Sequence, residues 1–160
     1  MKRIAYRFFL IVLLSVLAVE VFPVSAQEGS WFDEGNYDEG WLDKNFDNDV
    51  MIISTPEEFA AFGEYMTRSL WNYPNKTVRL AADMDMSAHK WITPVNEQFG
   101  SYFSGVFDGD GHKISGLTVV PAEEGEGYDY KRVVAGLFGT VRNAEIRDLS
   151  LIHISEPTRH

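Results

Sequence analysis

The chain has 160 residues, no cysteine and a formal net charge of −10 at pH 7. Without cysteine there is no disulfide framework, so stability must come from packing, for which the aromatic content of 14% supplies large apolar side chains. Residues 27–148 hold 22 acidic and 10 basic side chains, a formal charge of −12. Such a surface repels nucleic acid and anionic membranes, so neither is an expected partner.

Residues 1–26 have the pattern of a secretory signal peptide. Basic residues at positions 2, 3 and 7 precede the apolar run Phe8–Val19, which is too short to cross a bilayer as a helix, since crossing takes about 20 apolar residues. Small residues over Val24–Ala26 predict cleavage before Gln27. An N-terminal membrane anchor that stays attached is the less favoured alternative. The sequence therefore predicts export, without membrane insertion of the mature chain.

Residues 27–49 form an acidic, aromatic N-terminal segment. Glycine, asparagine and aspartate at this density predict turns rather than a helix. We expect Trp31, Tyr37 and Trp41 to lie over an apolar end of the domain. A calcium site among the acids is a minor alternative, and a solvated acidic cap is favoured.

Residues 50–76 predict a strand followed by a helix. Val50–Ile53 is a short apolar run and is expected to be a buried strand. Thr55 is the predicted N-cap, Pro56 takes the first helical position and Glu58 completes a capping box. Helical spacing then marks one apolar face, made of Phe59, Phe62, Met66 and Leu70. This strand and helix would cover the open end of a hydrophobic stack of strands.

Residues 77–148 have a sequence pattern typical of short strands separated by glycine turns. Alternation predicts four inward side chains: Val78, Leu80, Met84 and Met86. An internal repeat relates Gly105–Phe107 to Gly136–Phe138, which predicts that Phe107 and Phe138 stack in successive turns of the chain. The same repeat relates a second set, Ile114, Leu117 and Val119, to Ile146, Leu149 and Leu151. Each unit would bury its apolar face by stacking on a copy of itself.

The stretch Phe103–Leu117 resembles the signature FxGxFDGxGHxIxGL, which precedes GLUG-motif repeats in bacterial surface proteins. Gly136–Gly139 with Ala144–Leu149 looks like the GLFG…I.NL half of the motif, with Asp148 where asparagine is usual. Upstream, residues 52–62 and 77–87 are similar to the family's first two segments. The resemblance covers roughly residues 31–148 and implies a right-handed parallel β-helix at the cell surface. It implies little about activity, because these repeats occur in adhesin-like proteins and also beside large peptidases.

Residues 149–160 differ in character from the chain before them. Leu149–Arg159 resembles the translation of a transposase adapter used in preparing sequencing libraries, and all eleven residues match the adapter's codons read in one frame. We therefore expect this segment not to be native and the gene to continue, with further repeats of the same protein downstream. Synonymous codons that differ from the adapter in the underlying DNA would contradict this expectation.

Few residues in the chain have a pattern that carries chemistry. Asp108 and Asp110 are weak candidates for calcium ligands, since their spacing matches the start of a calcium-binding loop. The later ligands of such a loop are missing. A structural turn built on the glycines before His112 is therefore favoured. Asp83 and Asp85 would share one strand face, where paired carboxylates can serve glycoside hydrolysis, but solvated outer-face acids are favoured. The chain has no zinc-protease motif, phosphate loop, nucleophile elbow or cysteine nucleophile. No catalytic residue and no cofactor is predicted.

These features together predict a mainly β protein, a right-handed parallel β-solenoid with an N-terminal strand–helix cap. The expected function is a non-enzymatic, secreted cell-surface module, adhesin-like or a stalk, that contacts host or matrix glycans or proteins. The alternative is an N-terminal accessory module of a larger exported hydrolase, a peptidase or a glycan-active enzyme. The full gene would separate the two, because further repeats with an anchoring domain favour the first and a catalytic domain favours the second.

Overall fold

The computed structural model describes residues 29–68, 73, 75–94, 102–124 and 132–155. The predicted signal peptide, residues 1–26, lies outside these ranges. The described part contains two helices and eleven strands: α1 Trp41–Asn45, β1 Val50–Ile53, α2 Pro56–Arg68, β2 Thr77–Leu80, β3 Met84–Asp85, β4 Lys90–Ile92, β5 Val106–Asp108, β6 Lys113–Ser115, β7 Thr118–Val120, β8 Ala122–Glu124, β9 Arg132–Val134, β10 Glu145–Arg147 and β11 Ser150–Ile152.

Most of these strands lie in parallel sheets. One sheet has four strands in the order β1-β2-β5-β10, a second has three in the order β11-β6-β3, and a third pairs β4 with β7. Every pair in these three sheets is parallel, whereas β8 and β9 form a separate antiparallel pair. The prediction of a mainly β fold is confirmed.

The strand register corrects the predicted internal repeat. Phe107 pairs with Val78 on one side and with Ile146 on the other, and Ile114 pairs with Met84 and Leu151. The predicted equivalence of Ile114 with Ile146 is therefore wrong, and so is that of Phe107 with Phe138. The physical reason is the long connection between β7 and β10, which includes the β8–β9 pair and displaces the following strands along the sequence.

The segment around Phe138 has a different place from the one predicted. It belongs to no strand, and the side chain of Leu137 is inserted into the core. The Phe107 and Phe138 rings do make contact, with centroids 5.4 Å apart, but edge to face at 75°. Phe138 therefore packs beside the stacked strands and does not continue them.

The strand–helix cap follows the predicted capping chemistry. The amide N–H of Glu58 donates to Thr55 Oγ1 at 3.2 Å, and the Glu58 carboxylate accepts from the amide of Ser54 at 2.6 Å, one residue before the predicted partner. The predicted strand Val50–Ile53 is present as β1, and alternate side chains, Met51 and Ile53, are the buried ones. The prediction that the acidic segment lacks a helix is wrong, because α1 forms one short turn there.

The core is built largely from aromatic side chains between the helices and the sheets. Of the predicted helix stripe, Phe59, Phe62 and Met66 are buried, and Leu70 lies outside the described residues. Trp31 and Trp41 are buried with them and Tyr37 packs against the cluster, which confirms the role predicted for the acidic segment. All four side chains predicted to point inward are also fully buried: Val78, Leu80, Met84 and Met86. Neither helix in the described ranges has the length and apolar character needed to cross a membrane.

Candidate functional site

An acidic groove lies between the N-terminal segment and helix α2. It encloses about 510 Å³. Five carboxylates, two tyrosines and two small or apolar side chains line it: Glu34, Tyr37, Asp38, Glu39, Leu42, Asp43, Ala61, Glu64 and Tyr65. Among the described residues no basic side chain is part of this lining, so its charged groups are carboxylates, of which Asp38 pairs with Lys44 beside the groove.

Hydrogen bonds from the acidic segment fix one wall of the groove. The amide of Asp38 donates to the carbonyl oxygen of Glu57 at 3.1 Å, which joins the segment to the start of α2. The Asp38 carboxylate accepts from the Gly40 amide and from Lys44 Nζ, each at 2.9 Å. The hydrogen bond from Lys44 holds the pKa of Asp38 below its usual value. Asp38 is thus a charged anchor of the wall, while Glu34, Glu39 and Asp43 are exposed.

Another wall of the groove belongs to α2, which contributes Ala61, Glu64 and Tyr65 to the lining. Trp41 packs its ring edge to face against Phe62, with centroids 6.3 Å apart, and its indole N–H donates to the carbonyl of Ile52 at 2.7 Å. These contacts hold α1 against the cap, and Tyr37 and Tyr65 both line the groove. Glu64 is 93% buried in this wall, since its exposed fraction is 7%.

Asp108, one of the two weak calcium candidates, is buried between two arginines. Its Oδ2 lies 3.2 Å from Arg79 Nη2 and 2.9 Å from Arg147 Nη2, and its Oδ1 accepts from the amide of Asp110 at 3.0 Å. The three charged residues come from β2, β5 and β10, so the carboxylate links three neighbouring strands of one sheet. The hydrogen bond from Arg147 lowers the pKa of Asp108.

Asp110, the other candidate, lies exposed in the turn after β5 with a positive φ of 48°. The turn geometry thus agrees with the structural interpretation of Asp108–Gly111. Within the described ranges no group of three or more His, Cys, Asp or Glu side chains could hold a metal ion. Calcium at Asp108 and Asp110 stays a prediction, and the arginine partners of Asp108 disfavour it.

Asp83 belongs to a second charged cluster that the sequence did not reveal. Its Oδ1 lies 3.2 Å from His112 Nδ1 and accepts from the Lys113 amide at 3.2 Å, while its Oδ2 lies 3.3 Å from Lys113 Nζ. The Lys113 amide is the main cause of the lowered pKa of Asp83, followed by His112. Asp85 is held separately, since its Oδ1 accepts from the Ser87 amide at 3.0 Å. Both aspartates are exposed, as predicted.

Both clusters join residues from neighbouring strands, which explains why sequence reasoning missed them. Asp108 meets Arg147 because Phe107 is paired with Ile146, and the predicted repeat placed Ile146 opposite Ile114 instead. A sequence signal could have revealed the Asp108 cluster. An arginine follows the apolar residue in Val78-Arg79 and in Ile146-Arg147, and an aspartate takes the same position after Phe107.

Replacing Asp108 with asparagine should destabilise the fold at neutral pH. The carboxylate accepts charge-assisted hydrogen bonds from two guanidinium groups, and losing the charge should cost about 1–2 kcal/mol of unfolding free energy. Because its folded pKa lies below the unfolded value of about 3.9, this contribution is present above that value and is lost as the pH falls through the folded pKa. Urea unfolding at neutral and acid pH measures both effects.

The matched control is Asp85→Asn, an exposed carboxylate that accepts from a local amide. It should leave stability at neutral pH nearly unchanged. Equal stability of Asp108→Asn and the parent protein at neutral pH would show that the two arginines do not depend on the carboxylate charge.

No family model, no curated protein and no solved structure matches this chain.

Proposed function

We propose that the protein is a secreted, non-enzymatic module of a bacterial cell surface, a short right-handed parallel β-solenoid that serves as a stalk or adhesive module for host or matrix proteins or glycans. The observation that carries this proposal is the order of strand pairing. In chain order, β2, β3 and β4 pair in parallel with β5, β6 and β7, and β5 pairs in the same way with β10. A chain that winds and lays each turn on the previous one produces this order.

The protonation of the charged clusters argues against a general-acid role for Asp83 and Asp108 at neutral pH. A carboxyl group that acts as a general acid at neutral pH needs a raised pKa. Asp83 and Asp108 both have lowered pKa values, because basic side chains and amides of neighbouring strands stabilise their charged forms. These carboxylates therefore serve to join strands.

The acidic groove is the surface that we assign to partner contact. Its carboxylates attract cationic groups, and its two tyrosines offer the amphipathic rings that are enriched at protein interfaces. The same charge repels sulfated or carboxylated glycans. Within the proposed function, a lysine- or arginine-rich segment of a host or matrix protein fits the groove better than an anionic glycan does.

The test measures binding of a lysine-rich peptide and of an acidic peptide of equal length to the immobilised protein. We expect the lysine-rich peptide alone to bind, more weakly as salt is raised. Replacing Glu39 and Asp43 by lysine should abolish binding, because both carboxylates are exposed on the groove.

The matched control replaces Asp47 and Asp49 by lysine. These acids are exposed and outside the groove, so the net charge changes equally while the groove stays intact. Equal loss of binding in both variants would show that the net charge of the protein, and not the groove, attracts the peptide. That result would overturn the assignment of the groove. Binding of neither peptide would also count against it.

A further inference from the structure

One cationic side chain of the protein itself is bound at the acidic groove. Lys44, in the last turn of α1, places its Nζ 2.9 Å from Oδ2 of Asp38, which is one of the carboxylates that line the groove. The other carboxylate oxygen of Asp38 accepts from the Gly40 amide at 2.9 Å, which fixes the orientation of the carboxylate. The ammonium group of Lys44 therefore occupies a position at which an ammonium group of a partner would bind.

The exposed acids of the groove have no such cation. Glu34, Glu39 and Asp43 line the groove and are exposed. Within the described ranges no lysine, arginine or histidine forms an ion pair with any of the three. The groove thus combines one carboxylate that already holds a cation with three carboxylates that are open to a partner.

The ion pair between Lys44 and Asp38 is suited to exchange. The side chain of Lys44 is 66% exposed and that of Asp38 is 30% exposed, and ion pairs that solvent reaches in this way are weak. Asp38 raises the pKa of Lys44 and Glu58 adds to that effect, so a second carboxylate attracts Lys44 when it leaves Asp38. Displacing Lys44 need not unfold α1, because Trp41 anchors this helix to the core.

We propose that Lys44 is a built-in competitor for the cationic partner of the groove, and that a lysine or arginine of the partner displaces it from Asp38. This inference rests on the proposed function of the groove and adds a rule of selection to it. A partner with a single cation exchanges one ion pair at Asp38 for another and gains little. A segment with several cations pairs with Asp38 and with the exposed acids together, so the groove selects clustered basic residues.

The test measures the affinity of the purified protein for a lysine-rich peptide by isothermal titration calorimetry at low salt. Lys44→Ala should bind the peptide about two- to fivefold more tightly than the parent protein, because Asp38 is then open to the peptide. Lys113→Ala is the matched control, since Lys113 is an exposed lysine that pairs with Asp83 outside the groove. This control changes the net charge equally and should leave the affinity unchanged.

A double-mutant cycle determines whether the gain in affinity comes through Asp38. Asp38→Asn keeps an oxygen that can accept from the Gly40 amide and removes the charge that holds Lys44. In this background Lys44→Ala should no longer raise the affinity above that of the Lys113→Ala control. A peptide of equal length with one lysine should bind the parent protein at least tenfold more weakly than the lysine-rich peptide.

Equal affinity of Lys44→Ala and the parent protein, or equal gains from Lys44→Ala and Lys113→Ala, would overturn this inference and leave the groove as the binding site. A gain that persists with Asp38→Asn would also overturn it, because Lys44 would then act through another group. Equal binding of the one-lysine peptide would contradict the rule of selection. Binding of the lysine-rich peptide to none of the variants would overturn the proposed function itself, so the two failures are distinguishable.

Discussion

Replacing Trp91 with alanine should lower the free energy of unfolding by about 3–5 kcal/mol, the range for removing a large buried aromatic side chain. Trp91 is fully buried and joins three parts of the fold. Its ring stacks on Phe59 of α2 at 4.9 Å and meets Phe32 of the acidic segment at 5.0 Å, and its indole N–H donates to the Leu137 carbonyl at 3.2 Å. Urea denaturation measures the loss, and a change below about 1 kcal/mol would contradict this burial.

Gly63→Ala provides a control for which the structure predicts the direction of the change in unfolding free energy. An alanine in the middle of a helix normally stabilises it by about 1 kcal/mol relative to glycine. Here a Cβ at position 63 would lie 2.3 Å from Cη2 of the Trp91 ring, so we expect a loss of about 1–3 kcal/mol instead. In the Trp91→Ala background this clash is gone, and the same substitution should become neutral or stabilising. A double-mutant cycle measures the coupling.

Phe107→Ala should be comparably destabilising, by about 3–5 kcal/mol. Phe107 is fully buried at the centre of the four-stranded sheet, between Val78 and Ile146 in register. Its ring meets Phe62 at 5.7 Å and Phe138 at 5.4 Å, so its loss would leave a cavity between the sheet and α2. Thermal and urea unfolding measure the change.

Two aromatic controls accompany Phe107→Ala. Phe46 is 46% exposed, and Phe46→Ala should stay within about 0.5 kcal/mol of the parent protein. Phe138 is only partly buried, so Phe138→Ala should cost less than Phe107→Ala. Equal costs at positions 107 and 138 would contradict the difference in burial between the two rings.

The sequence by itself determined the local elements of this fold. The Thr55, Pro56 and Glu58 signals placed the start of α2, because capping involves residues within one helical turn. Alternation placed Val78, Leu80, Met84 and Met86 inside, because side-chain direction along a strand follows from the backbone alone. The buried tryptophans of the acidic segment were also predictable, since a cysteine-free chain must bury its large aromatic side chains to be stable.

Only the tertiary structure decided which strand lies beside which. Which residue pairs with Phe107 depends on the length of the connection between the two strands. The entropy of closing a loop changes only slowly with the length of the loop. Sequence spacing therefore does not determine that Phe107 pairs with Ile146. The Asp108 cluster follows from that register, and the Asp83 cluster follows from the pairing of β3 with β6. The acidic groove likewise required α1 to pack on α2 through Trp41, a contact between segments whose local patterns carry no information about each other.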